Sequence, residues 1–214
     1  MVFSYRAPEP IRIQFGANAS RIPEPARVPR GRKFEDGEGC GAAVDLTRKQ
    51  LLVALEELDR QLGYSGVEAE LRVVGGAAMA LLYDEARTTA DIDSVFDDYE
   101  VVRAAVEAAA RELHLPPDWV NSQIHDLALP FERDHHARVL RIGENLTVRI
   151  ASPQFLLYTK IIARRDAEQD FEDAVTLARH LNLVSAEQIE AEVSAFGQID
   201  GPLELYVEEI AREL

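Results

Sequence analysis

From residue 45 onward, apolar positions recur in two alternating rhythms, one with helical spacing and one with strand spacing. Leu51, Leu55, Leu58 and Leu62 share one face of a helix predicted over 45–62, with Asp45 as its cap and the glycine-bounded residues 63–66 as its end. Residues 71–74 form a compact, β-branched run that predicts a strand. Gly75-Gly76 stops that run, and the Ala/Leu-rich residues 77–83 predict a short helix. A polar loop then leads to Asp91-Ile92-Asp93, which opens a second strand running through Val95 and Phe96. The next helix is predicted over 99–114, capped by Asp97 and Asp98, with Val102, Val106, Ala109 and Leu113 as its stripe and Pro116-Pro117 as its stop.

Further along, residues 139–142 and 146–150 flank Gly143-Glu144-Asn145 and predict a β-hairpin. Ser152-Pro153 is a capping hydroxyl followed by a first-turn proline, and it opens a helix over 154–165. A second helical stretch covers 166–180, and amphipathic helices follow over 185–196 and 202–214, with Ser185 and Asp200 as caps. Trp119 reads as a core side chain and Asn121 as a helix cap. Residues 1–43 have little periodicity and are rich in Pro, Gly and Arg, as in an extended or disordered arm, although residues 11–15 alternate and suit an edge strand. The expected organisation is therefore an arm (1–43), an α/β core with a mixed sheet flanked by helices (44–150) and a helical C-terminal portion (151–214).

Charge modifies this picture. The 214-residue chain carries a net charge of −15, yet residues 1–40 balance at +2 and the remainder at −17. An acidic body argues against broad nucleic-acid binding, while a local basic patch still permits contact with RNA. No apolar run approaches the ~20 residues of a membrane span, and the N-terminus lacks the build of a secretory signal. A cytoplasmic protein is the expectation. Cys40 is the lone cysteine, and His125, His135 and His136 do not fall at metal-ligand spacing, so zinc is not expected.

The chemistry concentrates at 75–93. Strand alternation puts Asp91 and Asp93 on one face, with Cα atoms roughly 6.5–7 Å apart. Two such carboxylates can share a hard cation such as Mg²⁺ with the oxygens of a triphosphate. The glycines allow close backbone approach, and the helix after them offers N–H groups to a phosphate. Farther along, Lys160 and Arg164 share one helix face, as do Asp166, Asp170 and Asp173.

Gly75-Gly76, Arg87-Thr88 and Asp91-Ile92-Asp93 together resemble the nucleotidyltransferase superfamily of DNA polymerase beta-like folds. The sub-pattern is most similar to AbiEii- and MenT-type toxin nucleotidyltransferases and their uncharacterised bacterial relatives, and it covers about residues 70–180. The resemblance implies Mg²⁺- or Mn²⁺-dependent transfer of a nucleoside monophosphate from an NTP to a tRNA end or a protein acceptor. It also implies a toxin–antitoxin or defence setting with a cognate toxin or antitoxin as partner. On it, Asp91 and Asp93 hold the metal, Gly75, Gly76, Arg87 and Thr88 bind the nucleotide, and Lys160 with Asp170 or Asp173 completes the catalytic set. One feature departs from the superfamily pattern. Strand 146–150 offers Thr147 and Arg149 on one face and no third carboxylate, and Asp126 or Glu132 could serve only under a different strand order. Two alternatives therefore stand beside the enzyme: a catalytically inactive nucleotide-binding or antitoxin-like module, and an interaction protein built on the C-terminal helices.

Overall fold

The computed structural model describes residues 11–12, 45–97, 99–163 and 168–214. Most of the expected arm, and Asp98, Arg164 and Asp166 with it, lie outside the described residues. The central element is a mixed sheet of β1 (Ile11–Arg12), β2 (Ala69–Val73), β3 (Ile92–Phe96), β4 (Val120–Asn121), β5 (Arg138–Arg141) and β6 (Leu146–Ile150). Its spatial order is β1-β5-β6-β2-β3-β4. The pair β2–β6 is parallel, β2–β3 and β5–β6 are antiparallel, and β4 runs parallel to β3.

The register gives the sheet two unlike faces. Leu71, Val73, Ile92, Leu140, Val148 and Ile150 are buried on one face, where α1 (Arg48–Ser65) and α3 (Tyr99–Leu113) supply the apolar stripes read from the sequence. The other face carries Glu70, Arg72, Asp93, Val95, Thr147 and Arg149, all of them half-buried. The predicted hairpin is present. Asp59 of α1 fixes its turn by accepting from the backbone N–H groups of Asn145 and Leu146, each at 2.8 Å.

Several boundaries differ from the periodicity-based expectation, each for a local reason. Helix α1 is capped by Thr47 rather than Asp45, because Thr47 and Gln50 satisfy each other's backbone donors in a capping box. It runs on to Ser65 and stops where Gly66 adopts a left-handed φ of 66°. Strand β2 begins two residues earlier than predicted, because its pairing with β6 extends to Ala69. The helix after the glycines, α2 (Gly75–Ala78), starts on Gly75 itself and continues as one π-turn, Met79–Tyr83. Asp84 N–H closes that turn onto the Met79 carbonyl at 2.9 Å. Helix α7 (Pro202–Arg212) is capped at Gly201, whose φ is 54°, and not at Asp200.

The C-terminal helices α4 (Pro153–Ala163), α5 (Glu168–His180), α6 (Ala186–Val193) and α7 close one end of the sheet. Ser152 caps α4 as expected, accepting from Phe155 N–H at 3.1 Å. Phe155 anchors an aromatic cluster, with ring centroids 5.2 Å from Phe131 and 5.1 Å from Phe196. Buried residues from α1 through α7 belong to one contiguous core. Among the described residues, no helix is long and apolar enough to cross a membrane.

Candidate active site

A cleft of about 200 Å³ opens at the C-terminal end of β2, between the sheet and helix α4. One wall comes from strands. Ile92 is fully buried, so the alternation of β3 turns Asp91 and Asp93 away from the core toward the cleft, where both are half-exposed. Gly75 and Gly76 sit across from them. Gly75 has a φ of 65°, and a Cβ there would lie 2.8 Å from Asp93 Oδ2. A Cβ on Gly76 would lie 2.7 Å from Thr89 Oγ1 and 3.2 Å from Arg87 Nη2. The paired glycines therefore have a steric cause, and their role is to let the carboxylate, the hydroxyl and the guanidinium close on the backbone.

The opposite wall comes from helices and is held by charge. Lys160 of α4 is 6% exposed, and its Nζ lies 2.5 Å from Asp170 Oδ1 and 2.7 Å from Asp173 Oδ2 of α5. Asp173, 4% exposed, also accepts from Arg87 Nε at 3.2 Å. Arg87 in turn donates to the Thr88 carbonyl. One buried carboxylate thus ties the loop between β2 and β3 to the C-terminal helices. Removing one member of such a network leaves an uncompensated buried charge.

Most of the residues expected from the sequence converge here. Gly75, Gly76, Arg87, Asp91, Asp93, Lys160 and Asp170 line the cleft. Asp173 and Thr88 lie behind this wall, on an adjoining cavity of about 470 Å³ that they share with Arg87, Phe171 and Arg179. The threonine that does line the cleft is Thr89, which is buried and donates to the Asp91 carbonyl at 3.1 Å. An apolar rim of Ile124, Leu127 and Leu129 completes the opening, and Leu127 is 55% exposed.

Asn121 was read from the sequence as a cap, and the structure gives it a second task. Its Oδ1 does accept from Gln123 N–H at 3.1 Å, opening a short 3₁₀ turn, Gln123–Leu127. Its Nδ2 also donates to Asp91 Oδ2 at 2.9 Å. With the amide engaged at both ends, Asn121 holds Asp91 in one orientation, and β4 sets it directly beside Asp93 in register. The only sequence signal for this was the spacing of Trp119-Val120-Asn121 after a proline turn. Trp119 is the core side chain expected, fully buried with Nε1 donating to the Val106 carbonyl at 3.1 Å.

Two hard carboxylate oxygen donors on one face suit a divalent cation whose remaining ligands are phosphate oxygens and water. Among the described residues, no group of three His, Cys, Asp or Glu could hold a metal without such help. The neighbouring positions on this face are taken by Arg149 of β6 and by Ala151 just after that strand, rather than by an acid. Glu132 is exposed in a separate turn beside Arg133. The side chain of Asp126 lies outside the described residues.

Residues 49–197 match the model of a protein family described as nucleotidyltransferase of unknown function, DUF6036. No curated protein sequence matches the chain. Among solved structures, the chain is similar to an antigenic nucleotidyltransferase-like protein from Paracoccidioides brasiliensis, at 16% identity and a TM-score of 0.42. That alignment covers 72% of this chain and 97% of the other.

Proposed function

The chain belongs to this nucleotidyltransferase family, and from that premise we propose that it transfers a nucleoside monophosphate from an NTP to an acceptor hydroxyl. The observation that carries the proposal is the convergence of Gly75 and Gly76 of α2, Arg87 and Asp91 of the loop before β3, Asp93 of β3, Lys160 of α4 and Asp170 of α5 on one cleft.

In this reading the acceptor oxygen attacks the α-phosphorus, and the bond from that phosphorus to the bridging oxygen of pyrophosphate breaks. Asp91 and Asp93 would hold Mg²⁺ or Mn²⁺, which when bound neutralises triphosphate charge and polarises the α-phosphoryl group. Gly75 and Gly76 let Asp93 and Arg87 close on the backbone, where they face the triphosphate. Lys160 and Arg87 offset the charge that develops on the departing pyrophosphate. Asp170, which lines the cleft, takes the acceptor's proton, while Asp173, buried and doubly paired, positions the two cations. Positioning and charge stabilisation supply most of the catalysis in this chemistry.

The resemblance to AbiEii- and MenT-type toxins supports an RNA or protein acceptor, a cytoplasmic setting, and a toxin–antitoxin or defence role with a cognate partner. Incubation of the purified chain with Mg²⁺ or Mn²⁺, each α-labelled NTP and total tRNA tests the assignment. Asp93→Ala is expected to lower transfer by about 10²–10³-fold, the scale for removing one charge-stabilising group. Unchanged transfer in that variant would overturn it. A second reading, nucleotide binding without turnover, is favoured by the absence of an acid at 149 and 151. It would be supported by an NTP- and Mg²⁺-dependent thermal shift with no labelled product.

A further inference from the structure

We propose that the half-open face of the sheet is the acceptor surface, and that the acceptor is a single-stranded nucleic-acid end whose phosphates are held by Arg72 and Arg149. The inference rests on the transfer reading above and names its second substrate.

The first ground is charge. On this face the adjacent strands β2, β6 and β5 carry Arg72, Arg149 and Arg141 against one acid, Glu70. The chain as a whole has 38 acidic and 23 basic residues. By register, Arg72, Arg141 and Arg149 belong to the half-open face, opposite the buried apolar one. An anionic strand approaching this molecule is repelled by most of its surface and attracted here.

The second ground is position. Val74 N–H bonds the Asp93 carbonyl at 3.1 Å, which sets Arg72 two residues from the cleft on the neighbouring strand, a diagonal of roughly 7–8 Å. Arg149 is the Cα partner of Arg72 one strand farther out. Val95 and Val139 flank the two arginines in the same cross-strand row. The row thus offers two guanidinium groups in line, bracketed by apolar side chains against which a ribose or base can lie. An acceptor strand seated on it reaches the carboxylates with its terminal hydroxyl.

The third ground is preorganisation. Glu70 accepts from Arg149 Nε and Nη2 at 3.2 and 3.1 Å, and from Arg72 Nε at 3.4 Å. It spreads both guanidinium groups across the surface, and each keeps further N–H donors for phosphate oxygens. Side-chain exposures of 43% for Arg72 and 42% for Arg149 leave them within reach of a ligand. Glu70 then acts against the ligand as well as for the geometry, and this gives the proposal a signature of opposite signs.

The test is fluorescence anisotropy with a labelled oligoribonucleotide of about twelve nucleotides, titrated with the full chain across a salt series. Arg72→Gln/Arg149→Gln is expected to weaken binding at least tenfold at about 0.1 M salt and to reduce the log–log salt slope by about 1.4, two phosphate contacts' worth. Glu70→Gln is expected to tighten binding several-fold. Melting curves for each variant report folding separately. Equal affinity in all three proteins, or a shift of the same sign in both variants, would overturn the proposal. So would binding of an acidic peptide in place of the oligonucleotide, which would make the acceptor a protein. Because the readout is binding, a chain that holds RNA through these arginines yet transfers no label would overturn the transfer reading and leave the surface standing.

Discussion

The two walls of the cleft are held in place by different physics. On the strand wall, Asp91, Asp93 and Asn121 are fixed by sheet register, by a two-ended carboxamide and by glycines whose missing Cβ atoms leave the space. That geometry is set before any ligand arrives. On the helix wall, Lys160, Asp170, Asp173 and Arg87 are fixed by one another's charges. To meet a triphosphate, Lys160 must exchange a carboxylate for a phosphate. The contrast teaches a division of labour, with a rigid cation-holding wall facing a wall whose ion pairs are exchanged for those of the substrate.

Breaking each wall should therefore look different. The largest effect is expected from Asp173→Ala, which leaves Arg87 without its carboxylate partner and Lys160 with Asp170 alone. Loss of a buried partner costs about 3–5 kcal/mol, read as a fall in the denaturation midpoint. Gly75→Ala should cost about 1–3 kcal/mol from the positive φ, and its Cβ would displace Asp93. Transfer should then fall even where the protein remains folded, a split that a melting curve and an activity assay together resolve.

Asn121→Ala is milder. It removes a charge-assisted hydrogen bond worth about 1.5–3 kcal/mol when buried and less at this half-exposed position. The expected result is weaker Mn²⁺ affinity by electron paramagnetic resonance, with little change in melting temperature. Equal Mn²⁺ affinity would remove Asn121 from the strand wall.

The smallest effect lies outside both walls. The hydrogen bonds from Arg149 hold the Glu70 carboxyl below its ordinary value of 4.5. A depressed folded-state pKa gives stability that is present above the unfolded value and lost as pH falls through the folded one. Glu70→Gln should flatten that acid limb by a small amount, because the group is partly exposed. Thermal melts from neutral to acid pH measure it.

How legible the site was in the sequence follows the same contrast. Asp91, Asp93 and the glycines could be read because a strand's alternation and a β-branched run interrupted by Gly-Gly leave local signals. Lys160 with Asp170 and Asp173 was legible as helix-face spacing plus resemblance, though spacing alone could not say that one lysine meets both acids. Thr88 was read for the site where Thr89 lines the cleft, since which of the two faces it is decided by the backbone pairing of Thr89 with Leu46. Asn121 was hidden for a similar reason. A two-residue strand carries no periodicity, and its placement beside Asp93 is purely tertiary. The arginine row was invisible until the register of β2 against β6 put Arg72 beside Arg149.

The most direct test of the account is a parallel incubation with α-labelled and γ-labelled NTP, Mg²⁺ or Mn²⁺, and cellular RNA. Nucleotidyl transfer predicts that α-label enters the acceptor and γ-label leaves as pyrophosphate, both abolished in Asp91→Ala/Asp93→Ala. Transfer of γ-label to the acceptor, or undiminished α-label transfer by the double variant, would contradict it.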